Sequence, residues 1–423
     1  MAMSRNSQRG GSHIALAIIA AFVALALVVA AIIVWPRVSM RFQQPDDGAN
    51  IAHSDAVVTP THEPLSREAS PAPDLSSEAK ARRAVAAMSM DERVGQLVMA
   101  PLYAGSDPSV LWDLIANQHV GSVLIIGNWN DGVSSVRSAT DAMQSYAPQS
   151  NRLLMTTDQE GGLVQHLRGP GFDAMPSAVE QGMMDVDQLR RSAAVWGAQL
   201  AQAGINVDLA PVLGTVTIDR MVNEPIGMLD RDFGLDADGN AWHGIAFIQG
   251  MRDAGIATSV KHYPGLGSVN GNTDFTADGI LDVTTTLDGA EIGAFDTAIE
   301  QSDPGMVMMS LATYQAIDPN NPAVFSSTLI DGHLRGDLGY EGVVTSDSMS
   351  ATALSGFSPD ELGVRMVAAG GDLACVGALD YVQPILDGLK RRAASDPEFA
   401  DKVTRSAQRV MTLKYEMGLA VES

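Results

Sequence analysis

Eight short apolar runs recur along the chain, at 95–100, 121–126, 153–157, 205–210, 256–260, 305–309, 342–345 and 372–376. Each is apolar at successive positions, so both faces must be covered, as in parallel strands flanked by helices. Between them lie amphipathic stretches with helical spacing, among them 187–203, 237–253, 290–301 and 358–369. Strands alternating with helices imply parallel pairing and right-handed crossovers. Eight such units predict a (β/α)8 TIM-type barrel. An open doubly wound sheet shares the same alternation and is the runner-up.

The runs stop abruptly at polar, ionisable residues. The third ends in Asp158-Gln159-Glu160-Gly161-Gly162, a tight turn that would carry Asp158 into a barrel mouth. The fourth carries Asp208, the fifth ends in Lys261 and His262, the sixth in Ser310 and the seventh in Asp347. One Asp after a strand commonly does no more than form a turn or cap a helix. Recurrence over several strands is different, because a barrel gathers the C-terminal ends of its strands into one rim where reactive groups are held rigidly. Asn206 and Asp208 lie within their run and read as structural supports.

The N-terminal pattern differs from the rest. Residues 14–35 carry no charge and are almost all Ala, Val, Ile and Leu. At about 1.5 Å per residue they reach roughly 33 Å, enough for a bilayer core of about 30 Å. The expectation is a cytoplasmic tail and transmembrane anchor over 1–36, with a cleaved signal sequence as the rival. Residues 37–76, rich in Pro, Ala, Ser, Thr and Asp, read as a flexible tether. A barrel domain over 77–423 then follows outside the membrane, opened by a helix capped near Ser76 or Ser77.

Composition narrows the function. With 50 acidic against 27 basic residues, the net charge of -23 argues against nucleic acid, whose phosphates it would repel. Cys375 is the single cysteine, which excludes an intrachain disulfide, and its apolar run predicts a buried inert thiol. His119, His166, His243, His262 and His333 show no metal-ligand spacing, and no glycine-rich nucleotide loop appears. No metal and no cofactor are expected.

From residue 88 onward the chain resembles glycoside hydrolase family 3, in particular its single-domain β-N-acetylhexosaminidases. The resemblance rests on MSMDERVGQLVMAPL (88–102), TTDQEGGLVQHL (156–167), INVDLAPVL (205–213), LDRDFG (229–234), KHYPGLG (261–267), NPAVFSSTLIDGHLRGDLGYEGVVTSDSMS (321–350) and AAGGDLACV (368–376), in family order. It implies a (β/α)8 barrel, a carbohydrate substrate and a retaining mechanism. Asp347 matches the nucleophile, which would form a covalent glycosyl-enzyme. Asp158, Arg231, Lys261 and His262 match residues that bind the sugar.

The resemblance breaks at the acid/base loop. Family members of this kind place an Asp-x-His pair after the fifth strand; here Asn272 and Asp274 stand at those positions. Leu163, Leu266, Leu311 and Ser348 also replace expected polar residues. Three readings follow. Asp274 is itself the acid/base, its pKa raised by burial and by Phe275; or the chain is a carbohydrate-binding pseudoenzyme; or a partner or substrate group supplies the proton. The expected location is the outer face of a cell membrane, with cell-wall or other glycan as substrate.

Overall fold

The computed structural model describes residues 75–277 and 279–422. The predicted membrane segment 14–35, and all but the last two residues of the tether, lie outside them. Among the described residues no helix is long and apolar enough to cross a membrane.

All eight apolar runs become strands of one parallel sheet. In chain order they are β1 (Val98–Tyr103), β2 (Ser122–Ile126), β3 (Leu154–Thr157), β4 (Val207–Asp208), β5 (Ala257–Tyr263), β6 (Met306–Met309), β7 (Val343–Ser346) and β8 (Ala374–Cys375). Their spatial order is sequential, with β8 returning to pair with β1. Between β7 and β8 closure comes from one parallel bridge, Thr345 to Leu373, rather than a full ladder. The result is a nearly closed TIM-like barrel, and the open doubly wound alternative is set aside.

Two strand boundaries differ from expectation for local reasons. β1 starts three residues later than the apolar run, because Ser89 and Glu92 form a capping box that starts a helix over Met90–Gln96. β5 runs on through Lys261, His262 and Tyr263, so Lys261 and His262 sit inside the strand rather than beyond it. The four amphipathic stretches form helices at Val186–Gln202, Ala237–Asp253, Ala290–Ser302 and Pro359–Ala368. Ser76 caps the first described helix, Ser77–Ala87, accepting the Ala79 amide at 3.1 Å.

Alternation along the strands divides the core in two. On β1, Val98, Ala100 and Leu102 face the helices, while Met99 turns into the barrel. Met99, Leu124, Leu154, Val207, Met306, Val343 and Cys375 fill the interior with the C-terminal helix residues Val410 and Leu413. The barrel is therefore a packed plug and not a pore. Asn206 bonds the main chain of β3 on both sides, accepting from Met155 at 2.8 Å and donating to Leu153, as a structural support does.

Candidate active site

At the C-terminal ends of the strands the plug stops short, leaving a cavity of about 510 Å³. Asp158, Arg231, Lys261, His262, Asp274 and Asp347 all line it. Asp158 follows β3, Lys261 and His262 end β5, and Asp347 follows β7. Arg231 comes from the loop after β4, and Asp274 from the loop after β5.

A buried ionic network forms one wall. Lys261 is 1% exposed and its Nζ lies 2.5 Å from Asp158 and 2.6 Å from Glu160. Glu160 also takes two bonds from the Arg231 guanidinium, at 2.9 and 2.7 Å. Burial alone would protonate Glu160, but Arg231 and Lys261 overcome it and hold the carboxyl well below its usual range. Burial likewise opposes the charge on Lys261, yet Asp158 and Glu160 raise its pKa above the ordinary value. The pairing fixes two cationic donors at the cavity wall and keeps them charged.

Glu160 was given no role by the sequence reading, although it lies two residues after Asp158. Its signal was the turn that follows. Gly161 and Gly162 take φ of +103° and +53°, and a Cβ on Gly161 would fall 2.1 Å from the Pro176 carbonyl oxygen. The chain reverses there, pairing Gln159–Gly161 with Val164–Gln165. The same reversal brings His166 back into the cavity, 3.9 Å from Asp158. Burial depresses the pKa of His166, so it serves as a neutral polar group.

Two carboxyls share the cavity without a cation bonded directly to either. Asp347 accepts the Ser348 amide at 2.7 Å, so Ser348 supplies main chain where the family pattern has a second Asp. Burial, and then the charge of Asp274, push Asp347 up to about 7. Asp274 is also raised, by burial first and by Asp158, while Arg231 opposes the shift. Asp274 and Phe275 both line the cavity, yet each also meets solvent, Phe275 being 80% exposed, so the ring covers the carboxyl on one side at most. The Asp274 loop is held instead by Asn272, whose Oδ1 accepts the Asp274 amide at 2.9 Å, and by the Thr273 carbonyl, which accepts from Ala353 beyond β7. Asn272 thus forms the turn that presents Asp274.

His262 is buried, with Nε2 3.9 Å from Asp347 and Nδ1 unpaired. Burial, reinforced by Arg231 and Lys261, drives its pKa well below the ordinary value, so the ring is neutral. Asp208 accepts the Gln159 amide at 2.9 Å and anchors the turn from beneath, in keeping with a supporting role. Leu266 is 2% exposed and fills the wall where the family pattern has a histidine. Cys375 is buried on β8 with its thiol pKa raised by desolvation, an inert side chain. Among the described residues no cluster of His, Cys, Asp or Glu is arranged to hold a metal ion.

Residues 89–413 match the model of the glycosyl hydrolase family 3 N-terminal domain. The chain belongs to glycosyl hydrolase family 3. This family 3 chain is 30% identical over 372 residues to the beta-hexosaminidase LpqI of Mycobacterium tuberculosis, covering 84% of this chain and 92% of that one. It is 30% identical to an uncharacterized secreted glycosyl hydrolase of Arthroderma benhamiae, over 78% of this chain and 94% of the relative. A crystal structure of a beta-N-acetylhexosaminidase from Beutenbergia cavernae superposes with a TM-score of 0.75 at 39% identity, covering 78% of this chain and 99% of that one. The family 3 protein is a glycosidase of the β-hexosaminidase-like branch.

Proposed function

We propose that this family 3 chain cleaves β-linked N-acetylhexosaminides, or close relatives of them, with retention of configuration. Asp347 attacks the anomeric carbon and Asp274 first protonates the leaving oxygen, then activates water. Asp158, Arg231, Lys261 and His262 orient the sugar. The observation that carries this reading is the meeting of Asp347 and Asp274 in one cavity with four sugar-binding candidates. A two-carboxylate mechanism needs one proton on the pair; Asp347, pushed up to about 7, lets the pair hold one near neutrality, and Asp274 is raised as well. A bound glycoside sets its place: the partly positive anomeric carbon favours ionised Asp347, and the leaving oxygen accepts from Asp274.

The same proposal places the barrel domain, 77–423, outside the cell, joined by the tether 37–76 to a membrane segment within 1–36. The relative named as secreted supports an extracytoplasmic site. A second reading, a carbohydrate-binding pseudoenzyme, is favoured by the exposure of Asp274 and the absence of histidine at its loop. Turnover of an activated aryl N-acetylglucosaminide by the full chain decides between them. Asp347→Asn is expected to lower kcat by more than about 10³-fold with the fold retained. Sugar binding with no turnover by the unsubstituted chain would establish the pseudoenzyme.

A further inference from the structure

A second cavity, of about 570 Å³, lies beside the first at the C-terminal ends of β1 and β2. Asn128, Trp129, Asn130, Asp131, Asp107 and Ser138 line it. These are hydrogen-bonding groups with no cation among them, on a floor provided by Trp129. That floor is rigid: the indole Nε1 donates to the Ile126 carbonyl at 3.1 Å, and the Trp129 amide donates to the His166 carbonyl at 2.9 Å. Ile126 lines the catalytic cavity and Asn128, two residues on, lines the second, so the chain that leaves β2 borders both in turn.

Tyr103 closes β1 at the edge of the catalytic cavity. It is 47% exposed, lines the catalytic cavity, and immediately precedes Ala104, which lines the second. Its hydroxyl donates to the Gly377 carbonyl at 2.7 Å, which fixes the ring without burying it. An aromatic face held at its polar tip is a preorganised surface for the apolar face of a sugar ring. Across the boundary, a Cβ on Gly127 would come 3.4 Å from Ala104 and 3.7 Å from the Tyr103 ring.

We propose that the β1–β2 cavity is a distal subsite for a neutral oligosaccharide, reached from the catalytic cavity across Tyr103. Its amides and hydroxyls suit sugar hydroxyl and acetamido groups, whereas Asp107 and Asp131 repel anionic saccharides. The inference rests on the N-acetylhexosaminidase reading of the catalytic cavity. The test uses the full chain carrying Asp347→Asn, so that binding is read without turnover. Calorimetric titration with β-1,4-linked N-acetylglucosamine oligomers of two to five units should show affinity rising by about tenfold from dimer to tetramer. Adding Ser138→Trp, which places an indole in the second cavity, should reduce that gain to less than about twofold. Adding Asn128→Ala instead should reduce it partially, and circular dichroism checks that each variant is folded. Equal affinity for dimer and tetramer, or a gain that survives Ser138→Trp, overturns the subsite. The underlying reading fails on a different measurement, if the unsubstituted chain turns over no aryl N-acetylglucosaminide; a chain-length gain in binding would then still establish the subsite.

Discussion

Lys261 and Lys414 are buried at opposite ends of the barrel in opposite company. At the mouth, Lys261 meets Asp158 and Glu160, and its pKa stands above the ordinary value. At the N-terminal end, Lys414 reaches from the C-terminal helix to the amide oxygens of Gln96 and Asn151, at 2.7 and 2.9 Å. Among the described residues no carboxylate pairs with it, and burial pulls it down to about 7. Equal burial with different partners therefore gives a lasting cation at one end and, at the other, an amine that loses its proton readily. The difference separates a wall that presents charge to a ligand from a plug that closes the base.

The most severe way to break the comparison is to remove the carboxylate that keeps the mouth charged. Glu160→Gln leaves Arg231 and Lys261 competing for Asp158 alone. We expect kcat/KM for an aryl glycoside to fall by about 10²-fold, and stability to drop by about 3 kcal/mol, as for a broken buried pair. Because Glu160 lies behind the cavity wall, most of the kinetic loss should appear in KM. A loss confined to kcat would show that Glu160 acts on the chemistry and not on positioning.

Asp274 gives a smaller and more selective effect. Asp274→Ala should slow substrates with poor leaving groups by about 10²-fold, and activated aryl glycosides by less than about tenfold. Equal effects on both would remove it as the acid. Its charge also holds Asp347 up, so Asp274→Asn should shift the acid limb of the kcat/KM profile, placed near the Asp347 value of about 7, to lower pH. The sign follows from the nucleophile: it must be ionised, and losing a like charge nearby favours ionisation. An acid limb that stays in place would mean that the two carboxyls do not sense each other.

How much of this was legible beforehand follows the same divide. Strand runs such as 121–126 and 305–309 predicted Ser122–Ile126 and Met306–Met309 closely, because apolarity on both faces is a local property of the chain. Asp158, Lys261, His262 and Asp347 were legible because strand ends carried them, whereas Arg231 and Asp274, in loops, were legible only through the family resemblance. Glu160 and His166 were not, since their roles arise from a reversal at Gly161-Gly162 that brings residues of one hairpin against β5 and the loop after β4. The exposure of Phe275 was also hidden, because an aromatic beside an acid reads alike whether it packs or projects. Lys414 illustrates the same limit: nothing in its helical stretch separates it from a solvated lysine.

The mildest perturbation tests the base. A neutral amine has two N–H donors, and Gln96 and Asn151 offer two acceptors, so the deprotonated form fits its site without remainder. The unfolded lysine titrates near 10.5 and the folded one near 7. Between those values the unfolded chain binds the extra proton, so the stability of the wild-type chain should rise with pH in this window. Lys414→Met removes that slope and leaves both amide oxygens without their donor, at a cost of about 1–3 kcal/mol. Chemical denaturation at pH 6 and pH 9 should therefore show the methionine variant losing more ground at pH 9, with the wild-type advantage larger there by about 2 kcal/mol. A difference independent of pH would mean that Lys414 stays charged at the base, and that the contrast with Lys261 is one of partners without a difference in protonation.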